Sequence, residues 1–156
     1  MNYNRWHQQV FIVLGCLSKC GGIIEEIHGK FDSAAYEKLL DKYVSQMSGL
    51  QPRIFLQDNF PVHLAPRIDS WFSKNNAFNV IRLPKNSPDL MPLCQLHELL
   101  VTELNTKGVV PSINFLDDLN NCFKSICEPH IVESLFLEMP STLKYIISHN
   151  GELRKM

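Results

Sequence analysis

The sequence predicts an α/β chain in which helices cover a mostly extended sheet. Three observations carry that expectation. Continuous apolar runs of strand length occur in the first half, apolar residues recur at helical spacing between and after them, and Gly, Pro and Asn mark the joins.

Residues 9 to 18, QVFIVLGCLS, form an apolar run that fits a strand buried on both faces. KCGG is turn chemistry, and IIEEIHG reads as the returning strand of a hairpin. FDSAAYEKLLDKYVSQM then changes period. Tyr36, Leu39, Leu40, Tyr43 and Met47 recur at helical spacing, and Asp32 or Ser33 can cap the start. SGLQP breaks this helix, and RIFLQ is a short buried strand that stops at Asp58. A second helical stripe carries Val62, Ala65, Ile68 and Phe72. Pro61 suits a first turn, but Pro66 inside a helix would cost about 3 kcal/mol. The helix is therefore kinked at Pro66 or begins there. FNVIRLP is a further short strand, KNSPDLMP a loop with two prolines, and LCQLHELLVTELN an amphipathic helix. From residue 112 onward two or three helices are expected, without a strand. The whole reads as one domain over residues 1–156, with strands and helices over about 9–105 and a helical tail over about 112–150.

At 156 residues and 45% hydrophobic, the chain is long enough for a compact core. Charged residues make up 20% and the formal net charge is −1, which argues against disorder and supplies no global basic field for nucleic acid. Any nucleic-acid contact would need a local patch. Five Cys, at 16, 20, 94, 122 and 127, are an odd number in a chain of ordinary composition. The start lacks a basic region followed by a long apolar stretch, and no run approaches the roughly 20 apolar residues that span a bilayer. A reducing intracellular compartment is expected, with no membrane and no secretion.

A lone carboxylate at a strand end suits metal-dependent phosphoryl transfer, because the strand fixes the backbone while the acid faces a crevice. Asp58 meets that description, and it equally suits the cap of the next helix. Cys122, Cys127 and His130, and Cys94 with His97, have spacings that zinc could use. They fall on apolar helical stripes, where a free Cys behaves as a small hydrophobe, so zinc is not expected.

The motifs FLQDNFPVH at 55–63, WF at 71–72 and LPKNSPDLMPL at 83–93 resemble the catalytic core of the mariner superfamily of DNA transposases. LGCLSKCGGIIEEIHGKFDSAAYEKLL is similar to that family's glycine turn, return strand and Tyr-bearing helix, and LEMPSTLKYIISHNGELRKM to its closing helix and Asn-Gly tail. The resemblance covers nearly the whole chain. It implies a ribonuclease-H-like fold, a mixed sheet flanked by helices with an all-helical carboxyl-terminal region. It also implies an acidic triad holding two Mg²⁺ or Mn²⁺ ions, DNA as partner, and the nucleus as compartment.

Carried over residue by residue, the resemblance makes Asp58 the remaining catalytic acid and metal ligand, with Asn59, Pro61 and His63 completing its motif. Ser87, Pro88, Asp89 and Pro92 match the second motif, and Cys94 stands where the family has its third acid, a Glu. His97 takes the place of a Trp. No residue matches the first acid, which the family carries on a central strand upstream of VFIVLG. Glu98 lies one helical turn from Cys94, about 5.4 Å along the axis, too far to replace a ligand held at about 2.1 Å. Asp89, in a Ser-Pro-Asp turn, is expected to cap or bond its loop.

The expectation is thus a degenerate carboxyl-terminal part of a transposase catalytic domain. It lacks the usual first strand and the family's helix-turn-helix region, binds DNA at most, and holds Mg²⁺ or Mn²⁺ weakly. Removing a central strand would leave two pairing edges open to self-association or to a partner chain. Two other readings fit the same residues. One is a domesticated module that keeps the fold to bind protein or DNA. The other is a partial enzyme completed by a partner.

Overall fold

The structure, a computed structural model, describes residues 12–18, 21–44, 53–110 and 114–154. The expected first strand is seen as β1 (Val13–Ser18), and residues 9–11 lie outside the described part, as do the turn at 19–20, SGLQP and Met47. β1 pairs antiparallel with β2 (Gly21–Glu26), with Leu14 opposite Glu25 and Cys16 opposite Ile23. Gly22 sits hard against the helical layer. A Cβ there would lie 2.7 Å from Cys127 Sγ and 2.9 Å from the Phe123 ring, so only glycine allows this approach.

Asp32, rather than Ser33, caps α1 (Ser33–Leu39), its carboxylate accepting from the Ala34 and Ala35 N–H groups at 3.1 Å each. Those bonds, Ala35's first, hold the Asp32 carboxyl below the usual carboxylate range. The helix runs on as a π turn (Leu40–Val44), where Asp41 accepts from the Trp71 indole N–H at 2.7 Å. β3 (Arg53–Gln57) pairs parallel with β4 (Phe78–Arg82), Phe55 opposite Val80. Between them α2 (Pro66–Lys74) begins at Pro66, after a loose turn over 61–64. Of the two alternatives, the helix start prevails because Pro at the first position gives up an N–H that has no intrahelical partner anyway.

A 3₁₀ turn (Pro88–Leu90) interrupts the two-proline loop, followed by α3 (Pro92–Thr106), α4 (Phe115–Ile126) and α5 (Pro129–Ser148). Among the described residues after 112 there is no strand.

Alternation along β1 places it between two helical layers. Leu14 packs with Tyr36, Leu40, Ile68 and Trp71 of the α1–α2 layer. Leu17 packs with the α3–α4 cluster around Leu96, Leu119 and Phe123, and Gly15 faces Leu93 of α3. This is the ribonuclease-H-like α/β fold.

The sheet is two separate ribbons, β1–β2 and β3–β4; among the described residues no strand joins β1 to β3. One expectation needs correction: β3 is not a buried strand, since Ile54 is 68% exposed, and β1, though flanked by both helical layers, is only half-buried, with Val13 39% exposed at its start. Phe55, Phe78 and Val80 face α1 and α2, whereas Ile54 and Ile81 point the other way, where the α3–α5 layer leaves them exposed. Apolar runs report a tendency to be buried; the cover itself depends on how far the opposite layer extends.

Candidate functional site

Asp58 follows directly on β3, and its side chain is 54% exposed. Its Oδ1 accepts the Phe60 backbone N–H at 3.0 Å and the His63 Nδ1–H at 2.6 Å. The first bond closes a tight Asx turn and the second is charge-assisted, so this oxygen is committed locally. Its Oδ2 makes no hydrogen bond among the described residues.

The turn is held from beneath. Gln57, 3% exposed, accepts the Tyr36 hydroxyl at Oε1 (3.2 Å) and donates from Nε2 to the His63 carbonyl (3.3 Å). The His63 ring lies 4.4 Å from the Tyr36 ring, with Phe31 and Phe60 at its edges. Its Nε2 is buried without a partner in this aromatic pocket. A ring so enclosed, with one nitrogen facing aromatic carbon, serves to orient Asp58 rather than to shuttle protons to solvent. Burial raises the Tyr36 hydroxyl well above its ordinary value, so it stays a neutral donor.

Sequence patterning places Tyr36 only as part of a core stripe and Gln57 only as a strand residue. Gln57 carried one signal, a polar residue two positions beyond Phe55, on the same inward face of β3.

Asn59 is half-buried within the Asp58 turn, and Pro61 opens the loose turn leading to α2, its carbonyl accepting from Leu64 N at 3.3 Å. In the second motif Asn86 adopts a left-handed backbone (φ 58°), Ser87 precedes the 3₁₀ turn and Pro88 begins it. Pro92, buried, starts α3, and Cys94 N donates to Met91 O at 2.9 Å in its first turn.

Cys94, in the first turn of α3, lies within electrostatic reach of Asp58. Burial first, then the charges of Asp58 and Glu98, push the Cys94 thiol above its ordinary value, so it remains protonated near neutrality. His97 and Glu98 lie on the exposed face of α3. Asp89 does not join Asp58: it is 1% exposed, and its Oδ2 accepts the Arg154 N–H at 3.0 Å, a partner 65 residues away. Cys122 is 2% exposed within the α3–α4–α5 core, Cys127 packs against it, and His130 is exposed beside Glu128.

Among the described residues no three His, Cys, Asp or Glu side chains converge as a cation site. The donors near Asp58 therefore do not fit a pair of Mg²⁺ or Mn²⁺ ions, which require several hard oxygens at close range. A protonated thiol is soft and neutral and cannot stand in for a carboxylate. Three cations around the α1–α2 layer are paired with acids: Lys42 with Glu25 at 2.8 Å, Arg67 with Glu37, and Arg82 with Asp69. No helix of the described residues is long and apolar enough to cross a membrane.

No protein-family model matches the chain. A curated relative, the Transposable element Tc1 transposase of Caenorhabditis elegans, is 27% identical over 149 residues, covering 92% of this chain and 54% of the relative. The chain thus spans about half the length of the relative it matches. The crystal structure of the catalytic domain of Mos1 mariner transposase superposes with a TM-score of 0.75 at 16% identity, over 94% of this chain and 81% of that one. The same domain with Raltegravir and Mn gives 0.74, over 94% and 82%. The Mos1 Strand Transfer Complex gives 0.73, over 92% of this chain and 44% of that one, again at 16% identity. At that identity these structures establish the fold.

Proposed function

Because the chain is a relative of the Tc1/mariner transposase catalytic domain, we propose that it is a transposase-derived domain that keeps the fold and one metal-facing acid but carries out no strand cleavage or transfer by itself. The observation that carries this reading is position 94. Where the family resemblance implies a carboxylate, the chain has Cys94, a half-buried free thiol within electrostatic reach of Asp58. Two-metal phosphoryl transfer needs oxygen ligands shared between cations on the attacking and leaving oxygens. Asp58 Oδ2 could contribute to one weak Mg²⁺ or Mn²⁺ contact, and Asn59, Pro61 and His63 would serve to shape its turn.

DNA is the partner this ancestry implies, and the nucleus the compartment. Binding would be weak and salt-sensitive, since Lys42, Arg67 and Arg82 are already paired with acids. Supercoiled DNA incubated with the chain and Mg²⁺ or Mn²⁺ is expected to stay intact. Nicking that disappears in Asp58→Asn would overturn this proposal.

A second reading is favoured by the edges of β1 and β3, each of which has one side unpaired by any strand among the described residues. Unpaired strand edges are templates for a further strand, from a second copy or another chain. On this reading the chain sediments as larger species when its concentration is raised. A monomer at every concentration, with no binding of a hydrophobic dye, would remove it.

A further inference from the structure

Asp89 is a carboxylate with 1% exposure in a chain where the other motif acid, Asp58, is half open to solvent. Burying a charge is costly unless it is hydrogen-bonded, so its partner is the informative part. For Oδ2 that partner is the backbone N–H of Arg154, beyond the end of α5, while Oδ1 is buried without a partner among the described residues. The intervening segment is built to return. His149 N donates to Tyr145 O at 3.0 Å, and Gly151 N reaches back to Ile146 O at 2.9 Å. Asn150 and Gly151 both hold left-handed backbone (φ 54° and 89°), which reverses the chain at the helix end. The Arg154 guanidinium then donates through Nη1 to Ser141 Oγ and to the buried Thr142 Oγ1, at 3.0 Å each. Residue 154 therefore ties together two places, the flank of α5 through its side chain and the Ser-Pro-Asp turn through its backbone. The turn leads directly into α3, with Leu90, Met91, Pro92 and Leu93 between Asp89 and Cys94.

We propose that residues 149–154 form a strap whose anchor is Asp89, and that Asp89 is a positioning residue that holds the start of α3, and with it position 94, in place beside Asp58. This assigns the buried motif acid to conformation, and it rests on no activity of the chain. It also removes Asp89 from the pool of acids that could replace the absent ligand.

The test is Arg154→Pro, which deletes the N–H donor, with Arg154→Ala, which keeps the N–H and loses only the guanidinium bonds to Ser141 and Thr142, as its control. Alkylation of each Cys in the native chain, read peptide by peptide, is the measurement. Cys94 is expected to react about ten-fold faster, the effect of losing one hydrogen bond to a charged group, while Cys122 in the α4 core stays at its original rate. Hydrogen exchange over residues 84–96 should quicken in parallel. Asp89→Ala should reproduce both changes, and adding Arg154→Pro to it should change nothing beyond what Arg154→Ala does, since only the backbone bond is shared with Asp89. Asp89→Asn keeps an acceptor oxygen and should restore most of the protection. If Asp89→Ala fails to fold, Arg154→Pro still decides. Unchanged Cys94 reactivity, or a rise that Cys122 shares, would show that the strap does not position α3.

Discussion

Replacing Cys94 by Glu should raise the affinity for Mn²⁺ by roughly ten-fold or more, because cation affinity follows the number of carboxylate ligands. The new carboxylate would enter a half-buried position where Asp58 and Glu98 already disfavour negative charge. Without metal the variant should therefore melt below the original chain, as two nearby carboxylates repel. Added Mn²⁺ should raise the variant's melting temperature more than that of the original, since a ligand stabilises the state it binds. Equal shifts in the two proteins would mean that Cys94 does not face the cation side of Asp58. DNA should remain uncut if, as the resemblance implies, no residue here supplies the first acid. Strand transfer by this single variant would place that acid within the chain after all.

Ile68→Ala should cost about 2–5 kcal/mol, a large fraction of the roughly 5–15 kcal/mol that stabilises an ordinary domain. Ile68 is fully buried where α2 meets α1, among Tyr36, Leu40, Val44, Trp71 and Phe72. Aromatic neighbours collapse poorly into a vacated volume, so the transfer loss and the cavity add. Ile54→Ala is the matched control, because Ile54 is 68% exposed and should change stability by less than about 0.5 kcal/mol. Urea unfolding of the two variants separates them. Equal midpoints would mean that the α1–α2 cluster is not a packed core.

Element types were legible in the sequence where the signal is local. The helical stripe through Tyr36, Leu39, Leu40 and Tyr43, the Gly21–Gly22 turn end and the strand RIFLQ all report preferences of a few neighbouring residues. Pro66 shows the limit of such a signal. Its chemistry allowed a kink or a start, and the Asp58 turn decided for a start by drawing residues 58–63 into a loop bound by Phe60 and His63.

The sequence by itself determined the class of fold and the order of strands and helices. These are properties of period, turn residues and residue identity, and they need no partner distant in the chain. Only the tertiary structure decided that Gln57 and Tyr36 brace the His63 turn, that Ile54 lies exposed on a strand that reads as buried, and that Asp89 faces Arg154 instead of Asp58. Each of these depends on which surface meets which across tens of residues. A side chain's type limits the bonds it can make, and packing selects the partner.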